Sequence, residues 1–203
     1  MKRYVVKTLD KIPAEKNVDF ASVQRADIDC YKWLSGYEPE AFAKVAFIPG
    51  DGFYVRLSCR EAEPVAKHFG KGVSVCLDSA LEFFLDAAGD GKNYLNVETN
   101  SAGALLAEFG PVRHHRRGVS ELFDVKASRD GEFWYVEYRL PLDTLAELFG
   151  DSVKNIGSGH RFTGNFYKCG DDTPAPHYGM WNPVDSEIPD FHRPDGFGEL
   201  IIE

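Results

Sequence analysis

The chain has 203 residues, 32 of them Asp or Glu and 23 Lys or Arg, so its formal net charge is −9. Hydrophobic residues make up 43% of the chain, enough to fill the core of one folded domain, which excludes a disordered protein. Apolar runs stop well short of the about 20 residues that cross a bilayer, and an acidic surface repels phosphate backbones. We therefore expect a single domain over residues 1–203 with no membrane or nucleic-acid partner; the composition leaves the oligomeric state open.

The N-terminal segment and the cysteines bear on the cellular compartment. Residues 1–8 include basic side chains, but the apolar stretch of a signal peptide does not follow, so the sequence as written predicts a cytoplasmic protein. If a leader has been trimmed from the chain, an extracellular location is expected instead. The cysteines, Cys30, Cys59, Cys76 and Cys169, form no C-x-x-C pair and show no zinc-like spacing, so we expect buried free thiols.

Alternating apolar and polar residues, the pattern of a strand with one buried face, recur along the chain. The segments with this pattern are 53–60, 73–86, 92–100, 132–140, 161–169 and 199–202. One helix is predicted over 142–149, because its leucines share a face after Pro141 and Gly150 can end it. Together these elements predict an all-β fold, a jelly-roll-like antiparallel β-sandwich with one short helix and long C-terminal loops.

Polar side chains share a common phase in three of the predicted strands. They are Tyr94, Asn96, Glu98 and Asn100 in one strand, Glu82 and Asp86 in another, and Thr163, Asn165 and Tyr167 in the third. Two interpretations stay open if these strands are neighbours. The face is either an ordinary solvated sheet surface or a binding face for a neutral polyhydroxylated ligand, whose hydroxyls pair with planar polar groups.

Residues 170–198 are rich in Pro, Gly and aromatic residues and lack strand alternation. A loop of this length in a compact domain is usually functional or disordered, and its aromatic residues argue against disorder. Trp181 and Phe191 could stack on a sugar ring, although a Trp beside Pro also suits a plug over one end of a sandwich. His177 and His192 lack a third ligand at metal-binding spacing, so we expect them to form hydrogen bonds, with His192 the stronger binding candidate.

Carboxylates offer two further hypotheses. Glu82 and Glu98 could approach each other across paired strands, as the two acids of a glycosidase must. Asp86, Asp90 and Asn93 supply oxygen ligands that would suit calcium, but the same residues are typical of a hairpin turn. The sequence alone does not decide between these roles.

A basic segment, residues 113–117, interrupts the acidic chain. The arginines and histidines of this segment could form an anion site, but basic segments in proteins are usually solvated. We therefore predict a solvated loop here.

Four segments, taken in chain order, resemble the family 9 carbohydrate-binding modules, in particular the single-domain family 9-like proteins. They are 78–85, 94–103, 164–171, and the loop residues 181–183, 190–194 and 197–198. The resemblance runs from about residue 45 to the C-terminus. It implies an antiparallel β-sandwich that binds sugars at a reducing end without catalysis, between two aromatic side chains and with help from polar residues on the sheet.

Carried over by position, the resemblance places one aromatic platform on Phe191 and polar contacts at or beside Glu82, Glu98 and Tyr167. The family's second platform precedes residue 78, where residues 72–77 hold no aromatic side chain. Trp181 or Tyr178 would have to substitute from the loop. Calcium occurs in the family, so the resemblance also implies a structural calcium at the turn of residues 86–93, with no other cofactor required.

The leading hypothesis is therefore non-catalytic binding of a mono- or oligosaccharide on the polar sheet face. The residues expected to bind it are Glu82, Asn96, Glu98, Asn165 and Tyr167 on the face, with Trp181, Phe191 and His192 at its rim. One alternative is a glycoside hydrolase-like enzyme that uses Glu82 and Glu98. The other is a related haem-binding sandwich with Met180 and a histidine as ligands.

Overall fold

The computed structural model describes residues 1–10, 18–33 and 36–203. Within these residues the strands are β1 (Arg3–Thr8), β2 (Ala26–Asp27), β3 (Cys30–Tyr31), β4 (Ala41–Ile48), β5 (Gly52–Arg60), β6 (Ala80–Asp86), β7 (Tyr94–Asn100), β8 (Leu105–Gly110), β9 (Arg117–Gly118), β10 (Val125–Asp130), β11 (Phe133–Pro141), β12 (Arg161–Cys169), β13 (Tyr178–Met180) and β14 (Gly198–Ile202). The one α-helix among them is α1 (Leu142–Phe149). Short 3₁₀ turns lie at Phe20–Ser22, Val75–Leu77, Ser120–Leu122, Asp151–Val153 and Pro194–Gly196.

The strands follow one another in the order β10-β11-β5-β4-β1-β14-β12-β6-β7-β8-β9, with β2 paired to β4, β13 paired to β12 and β3 paired to β13. β1 joins the two halves of this curled sheet, since Arg3 to Val6 pair with β14 and Lys7 and Thr8 pair with β4. Both of these pairings are parallel. The all-β prediction is confirmed, but the sheet is mixed and not purely antiparallel. Parallel neighbours need long connections, which the chain provides between β1 and each of its partners.

Five strands and the helix lie where the sequence pattern predicts them, namely β5, β7, β11, β12, β14 and α1. The predicted strand over 73–86 is wrong in its first half, because Val75–Leu77 forms a 3₁₀ turn and β6 begins only at Ala80. The Asp78 carboxylate accepts hydrogen bonds from the backbone N–H of His68 and the Asn100 side chain, both at about 2.9 Å or less, which holds residues before β6 in a loop.

The helix ends as its sequence indicates. Gly150 adopts a φ of 96°, a conformation open to glycine, and its N–H donates to Ala146 O at 2.9 Å. No helix of the described residues is long and apolar enough to cross a membrane.

The main core lies between the two halves of the sheet. Phe53 from β5 and Phe162 from β12 face each other across it with ring centroids 5.3 Å apart, and Phe83 stacks on Phe166 at 4.6 Å. Trp134 belongs to the same core. These aromatic residues fill the sandwich, as their position on the apolar phase of the strands indicates. The opposite face of β12, β6 and β7 is covered by the C-terminal loop, and the site lies there.

Candidate functional site

Three adjacent strands bring the polar phase of the sequence into rows. β6 pairs with β12 on one side and with β7 on the other, so that Tyr167, Glu82 and Glu98 are successive partners across the sheet. Side chains directly opposite each other on antiparallel strands have Cβ atoms about 5 Å apart. The two glutamates, which are distant in sequence, therefore face outward side by side.

The C-terminal loop covers much of this face. The Phe191 ring stacks on Tyr167 with centroids 4.1 Å apart and an interplanar angle of 14°, and the Tyr167 hydroxyl donates to Phe191 O at 3.2 Å. Asn165 fastens the same loop, donating to Asn182 O at 2.8 Å and accepting from the Asn182 N–H at 2.9 Å. Tyr167 and Asn165 are completely buried and hold the loop in place beside the cavity.

A cavity of about 540 Å³ remains between the sheet and the loops. Glu82 and Glu98 lie on its sheet side, and Phe191, His192 and Tyr178 lie among its loop residues. Its volume falls in the range of pockets that hold small ligands. Of the predicted binding residues, these walls contain Glu82, Glu98, Phe191 and His192.

Burial and mutual repulsion shape the charge of the two glutamates. Their exposures are 2% for Glu82 and 4% for Glu98. Burial, together with the neighbouring charges of Glu98 and Asp171, raises the pKa of Glu82 well above its usual range. Burial raises the pKa of Glu98 to about 7, against the opposing effect of a hydrogen bond from Asn96. The pair therefore holds protons at a pH where exposed carboxyls are ionised.

Arg116 supports Glu98 through Asn96. Its guanidinium donates to Asn96 Oδ1 at 2.5 and 3.0 Å, and Asn96 Nδ2 donates to Glu98 Oε1 at 2.8 Å. The guanidinium also lies 3.9 Å from the centroid of the Tyr94 ring. The prediction of a solvated basic loop is wrong for this residue, whose side chain is only 1% exposed. Asn96 is thus a residue that orients Glu98 from outside the cavity lining.

His192 is held as a neutral side chain. Its Nδ1 lies 2.9 Å from the Tyr94 hydroxyl, and burial with the nearby charges of Arg116 and Arg113 lowers its pKa to about 3. A neutral imidazole can accept the Tyr94 hydrogen at Nδ1 and carry its own hydrogen on Nε2, for which the described chain supplies no partner. His192 can therefore donate a hydrogen bond to a molecule in the cavity.

Trp181 is not at the rim where sequence reasoning puts it. It is 4% exposed and packs in the core between the sheet halves, with its ring centroid 5.6 Å from that of Phe166 and 6.4 Å from that of Tyr4. Gly198 makes room for it, since a Cβ there would lie 2.3 Å from the indole ring. Of the aromatic residues that could provide a second platform, Tyr178 is the one that lines the cavity.

The turn after β6 closes on its own backbone. The two oxygens of Asp86 accept the N–H groups of Gly89 at 2.9 Å and Gly91 at 2.8 Å, while Asp90 pairs with Lys92. These hydrogen bonds are those of a hairpin turn, and a calcium ion at Asp86, Asp90 and Asn93 would compete with them for the Asp86 oxygens. The calcium site therefore stays a prediction. In the part of the chain that the structure describes, no group of three or more His, Cys, Asp or Glu side chains could hold a metal ion.

Met180 and the histidines do not form a pair of haem ligands. The Met180 sulfur accepts the Val184 N–H at 3.1 Å, and His177 Nε2 lies 2.7 Å from the Lys168 ammonium nitrogen. Both side chains are buried and neither lines the cavity. The residues present do not fit this alternative.

Several residues that line the cavity were not predicted from the sequence to belong to a site. Among them are Cys76, Cys169, Asp171, Glu108 and Asp190. Burial raises the pKa of the Cys76 thiol to about 12 and shifts that of Cys169 in the same direction, so both are thiols and not thiolates. The Cys169 thiol donates to Asp171 Oδ1 at 3.2 Å. Asp171 follows Gly170, and such a pair predicts a turn. It does not predict in which direction the Asp171 side chain points.

Comparisons with known proteins add a family and a set of related folds. The profile of a family described as carbohydrate-binding family 9 matches residues 13–202. A crystal structure of a candidate carbohydrate-binding protein from Bacteroides uniformis is 28% identical, with a TM-score of 0.84 over 100% of this chain and 99% of that one. No curated protein sequence matches this chain significantly.

Two structures of a family 9 carbohydrate-binding module from Caldicellulosiruptor kristjanssonii share the fold. The complex with glucose is 15% identical, with a TM-score of 0.70 over 100% of this chain and 96% of that one. The complex with cellotriose is 14% identical, with a TM-score of 0.68 over 100% and 94% of the two chains.

Proposed function

The chain belongs to carbohydrate-binding family 9, and we propose that it binds a mono- or oligosaccharide in the cavity over β12, β6 and β7 without turning it over. The observation that carries the proposal is the cavity itself, in which Glu82 and Glu98 lie beside Phe191, His192 and Tyr178. The relatives crystallised with glucose and with cellotriose are consistent with a sugar ligand.

The polar and aromatic side chains that line the cavity suit the hydroxyl groups and the C–H face of a sugar ring. Hydroxyl groups both donate and accept hydrogen bonds, so they can use the carboxyl oxygens of Glu82 and Glu98 and the Nε2 hydrogen of His192. The C–H face of a pyranose packs on an aromatic plane, and Phe191 and Tyr178 supply two rings with centroids 6.1 Å apart at an interplanar angle of 75°. These rings meet edge to face, so we expect one of them to stack on the sugar and the other to close its side.

Calorimetry with purified protein and a panel of mono- and oligosaccharides tests the proposal. We expect measurable binding that Phe191→Leu weakens about tenfold, because leucine keeps the packing on Tyr167 but loses the aromatic plane. Phe69→Leu is the matched control, since Phe69 is a 68% exposed aromatic residue outside the cavity. Absence of binding heat for every sugar would overturn the proposal, as would equal affinities in the wild type and Phe191→Leu.

The pairing of Glu82 with Glu98 across β6 and β7 favours a second candidate function, that of a glycoside hydrolase. Glu82 and Glu98 are directly opposed, which places their Cβ atoms about 5 Å apart, so their carboxyl groups can approach the separation of about 5 Å that retaining glycosidases use. Burial raises the pKa of Glu98 to about 7, as a general acid requires. This candidate predicts hydrolysis of aryl glycosides that Glu82→Gln abolishes. No release of the aryl alcohol across such a panel would eliminate it.

A further inference from the structure

The two glutamates on the sheet side of the cavity have no cation of their own in the described chain. The nearest basic side chains are engaged elsewhere. Lys168 points to the other face of β12, where it bonds to Glu61 and His177. Arg116 bonds to Asn96 and to backbone carbonyls, and Arg113 pairs with Asp190 at 3.3 Å.

Glu82 is also without a hydrogen-bond partner among the described residues, although it is 2% exposed and lines the cavity. The one nearby donor is the Cys169 thiol, a weak donor whose geometry directs it to Cys76 O at 3.3 Å and Asp171 Oδ1 at 3.2 Å. Among the described residues, the fully buried side-chain atoms without a partner are the Tyr138 hydroxyl and Arg139 Nε, so the Glu82 oxygens are open to the cavity. A carboxyl group that faces a cavity without a strong donor from the protein is a place where a ligand can supply the donors.

Charge is distributed unevenly around the cavity. The carboxyl groups of Glu82, Glu98 and Asp171 all line the cavity. Glu98 and Asp171 both act electrostatically on Glu82, so this part of the cavity wall is acidic. Arg113 and His114 also line the cavity, and they act on His192. A ligand with positive charge at one end and uncharged hydroxyls at the other matches this distribution.

We propose that the preferred ligand is an amino sugar whose ammonium group lies between Glu82 and Glu98, with its hydroxyl groups towards His192. The inference rests on the proposed function and narrows it from sugars in general to sugars that carry a primary amine. An ammonium group has three donors and no acceptor, which suits a pair of carboxylates. Charge-assisted hydrogen bonds are roughly twice as strong as neutral ones, so the amine should contribute more than a hydroxyl in the same place.

Protons should leave the protein when such a ligand binds. The groups that act on the two glutamates are Asp171, Glu108, Lys168, Cys169, Asn96, Arg116 and Arg113. Together with burial they raise the pKa of both groups, that of Glu98 to about 7, so the pair keeps protons at slightly acidic pH, and an added positive charge favours the ionised carboxylates. Binding of an ammonium ligand is therefore coupled to proton release, whereas a neutral sugar has no such requirement.

The first test compares glucosamine, glucose and N-acetylglucosamine by calorimetry at one slightly acidic pH and low salt. We expect glucosamine to bind about tenfold more tightly than either neutral sugar. Repeating the glucosamine titration in buffers of different ionisation enthalpy should show release of protons. Equal affinities for the three sugars, or no proton release with glucosamine, would overturn the inference.

The second test uses variants. Glu82→Gln and Glu98→Gln should each reduce the preference for glucosamine over glucose to about threefold or less, while Glu147→Gln, an exposed helix residue with the same change of charge, should leave it intact. Thermal melting shows whether each variant is folded, and the wild-type proton release decides the question if a variant is not. An undiminished preference in both folded cavity variants would contradict the inference.

The outcomes separate the inference from the function on which it rests. Binding of glucose and glucosamine with equal affinity leaves the proposed function standing and removes the amino-sugar preference. No binding of any sugar removes the proposed function. A simple amine, such as ethanolamine, should bind far more weakly than glucosamine; if it binds equally well, the sugar ring contributes nothing and the inference is wrong.

Discussion

Glu61 and Glu82 both carry a buried carboxyl group, but the surroundings of the two groups differ. Glu61 lies just after β5 and accepts hydrogen bonds from Ser79 at 3.1 Å and Trp134 at 3.0 Å, with the Lys168 ammonium 3.4 Å away. Lys168 in turn donates to Cys169 O at 2.8 Å and to His177 at 2.7 Å. The Glu82 carboxylate has no comparable partner within the described chain.

The strand alternation explains this difference. Lys168 and Tyr167 are neighbours in β12 and point to opposite faces, Lys168 inward opposite Leu81 and Tyr167 outward opposite Glu82. Between the sheet halves nothing from outside can reach a charge, so the protein must supply both ions and all their donors. On the outer face the cavity admits solvent or a ligand. We infer that the completed network stabilises the fold and that the incomplete one serves recognition.

The largest effect is expected from breaking the completed network. Lys168→Met should lower the free energy of unfolding by about 3 to 5 kcal/mol, because it leaves Glu61 as a buried charge without its counter-ion. Denaturant unfolding measures the change. Lys92→Met is the matched control, since Lys92 is an exposed lysine in a hairpin and should leave the transition unchanged. The double variant Lys168→Met with Glu61→Gln should recover part of the loss, and an unchanged unfolding midpoint in the single variant would show that the pair does not stabilise the fold.

A smaller loss of stability is expected from removing Arg116, which holds Asn96 and through it Glu98. Arg116→Ala removes hydrogen bonds to Asn96 and three backbone carbonyls together with the contact on Tyr94, and should cost about 2 to 3 kcal/mol of stability. It should also weaken sugar binding, because Asn96 no longer orients Glu98. Arg116→Lys keeps the charge but loses the planar fork, so most of both losses should persist.

Arg117→Ala is the control for this prediction. Arg117 is the next residue and is exposed, so its loss should change neither stability nor affinity. Full affinity in a folded Arg116→Ala protein would show that Asn96 and Glu98 keep their positions without the guanidinium.

The raised pKa of Glu98 should make the free energy of unfolding depend on pH. The pKa of Glu98 is about 7 in the folded protein and close to 4.5 in the unfolded chain, so the folded state binds more protons between these values. Its contribution to stability is fully present below pH 4.5 and is lost as the pH rises through about 7. Relative to the wild type, Glu98→Gln should therefore gain about 2 to 3 kcal/mol between pH 5 and pH 8.

Denaturant unfolding of both proteins at the two pH values measures this gain. The difference between wild type and variant is the quantity to use, because His177 and His192, with pKa values lowered to about 4 and about 3, change stability in the opposite direction as the pH rises towards 6.5. A constant difference between the proteins across this range would show that Glu98 is ionised throughout, as an exposed carboxylate would be.

Alternation in the sequence was sufficient to find the strands that have one fully apolar side, and with them the polar row of Tyr167, Glu82 and Glu98. It could not find β4, whose sequence is almost entirely apolar on both faces and so has no polar phase, whereas β6 and β7 are also buried on both faces but keep polar residues on one of them. Nor could it predict that β1 pairs in parallel, since the direction of a partner leaves no trace in a strand's own pattern.

The loop residues were less predictable than the strands, for a physical reason. Trp181 and Phe191 occupy similar Pro-rich sequences, yet one fills the core beside Gly198 and the other lines the cavity. Arg116 belongs to a basic segment but is buried, because Asn96 and three carbonyls satisfy its donors. Which side a loop residue faces depends on the surface that it covers, and that surface is assembled from distant parts of the chain.

The smallest effect is expected at the turn of residues 86–93, whose Asp86 belongs with Glu61 among the carboxylates satisfied from within. Its oxygens already accept the amides of Gly89 and Gly91, so a cation would have to displace two hydrogen bonds to bind. Thermal melting should therefore give the same transition temperature with added calcium and with a chelator. A calcium-dependent rise that Asp86→Asn abolishes would place this turn with Glu82 instead, as a carboxylate kept for a ligand.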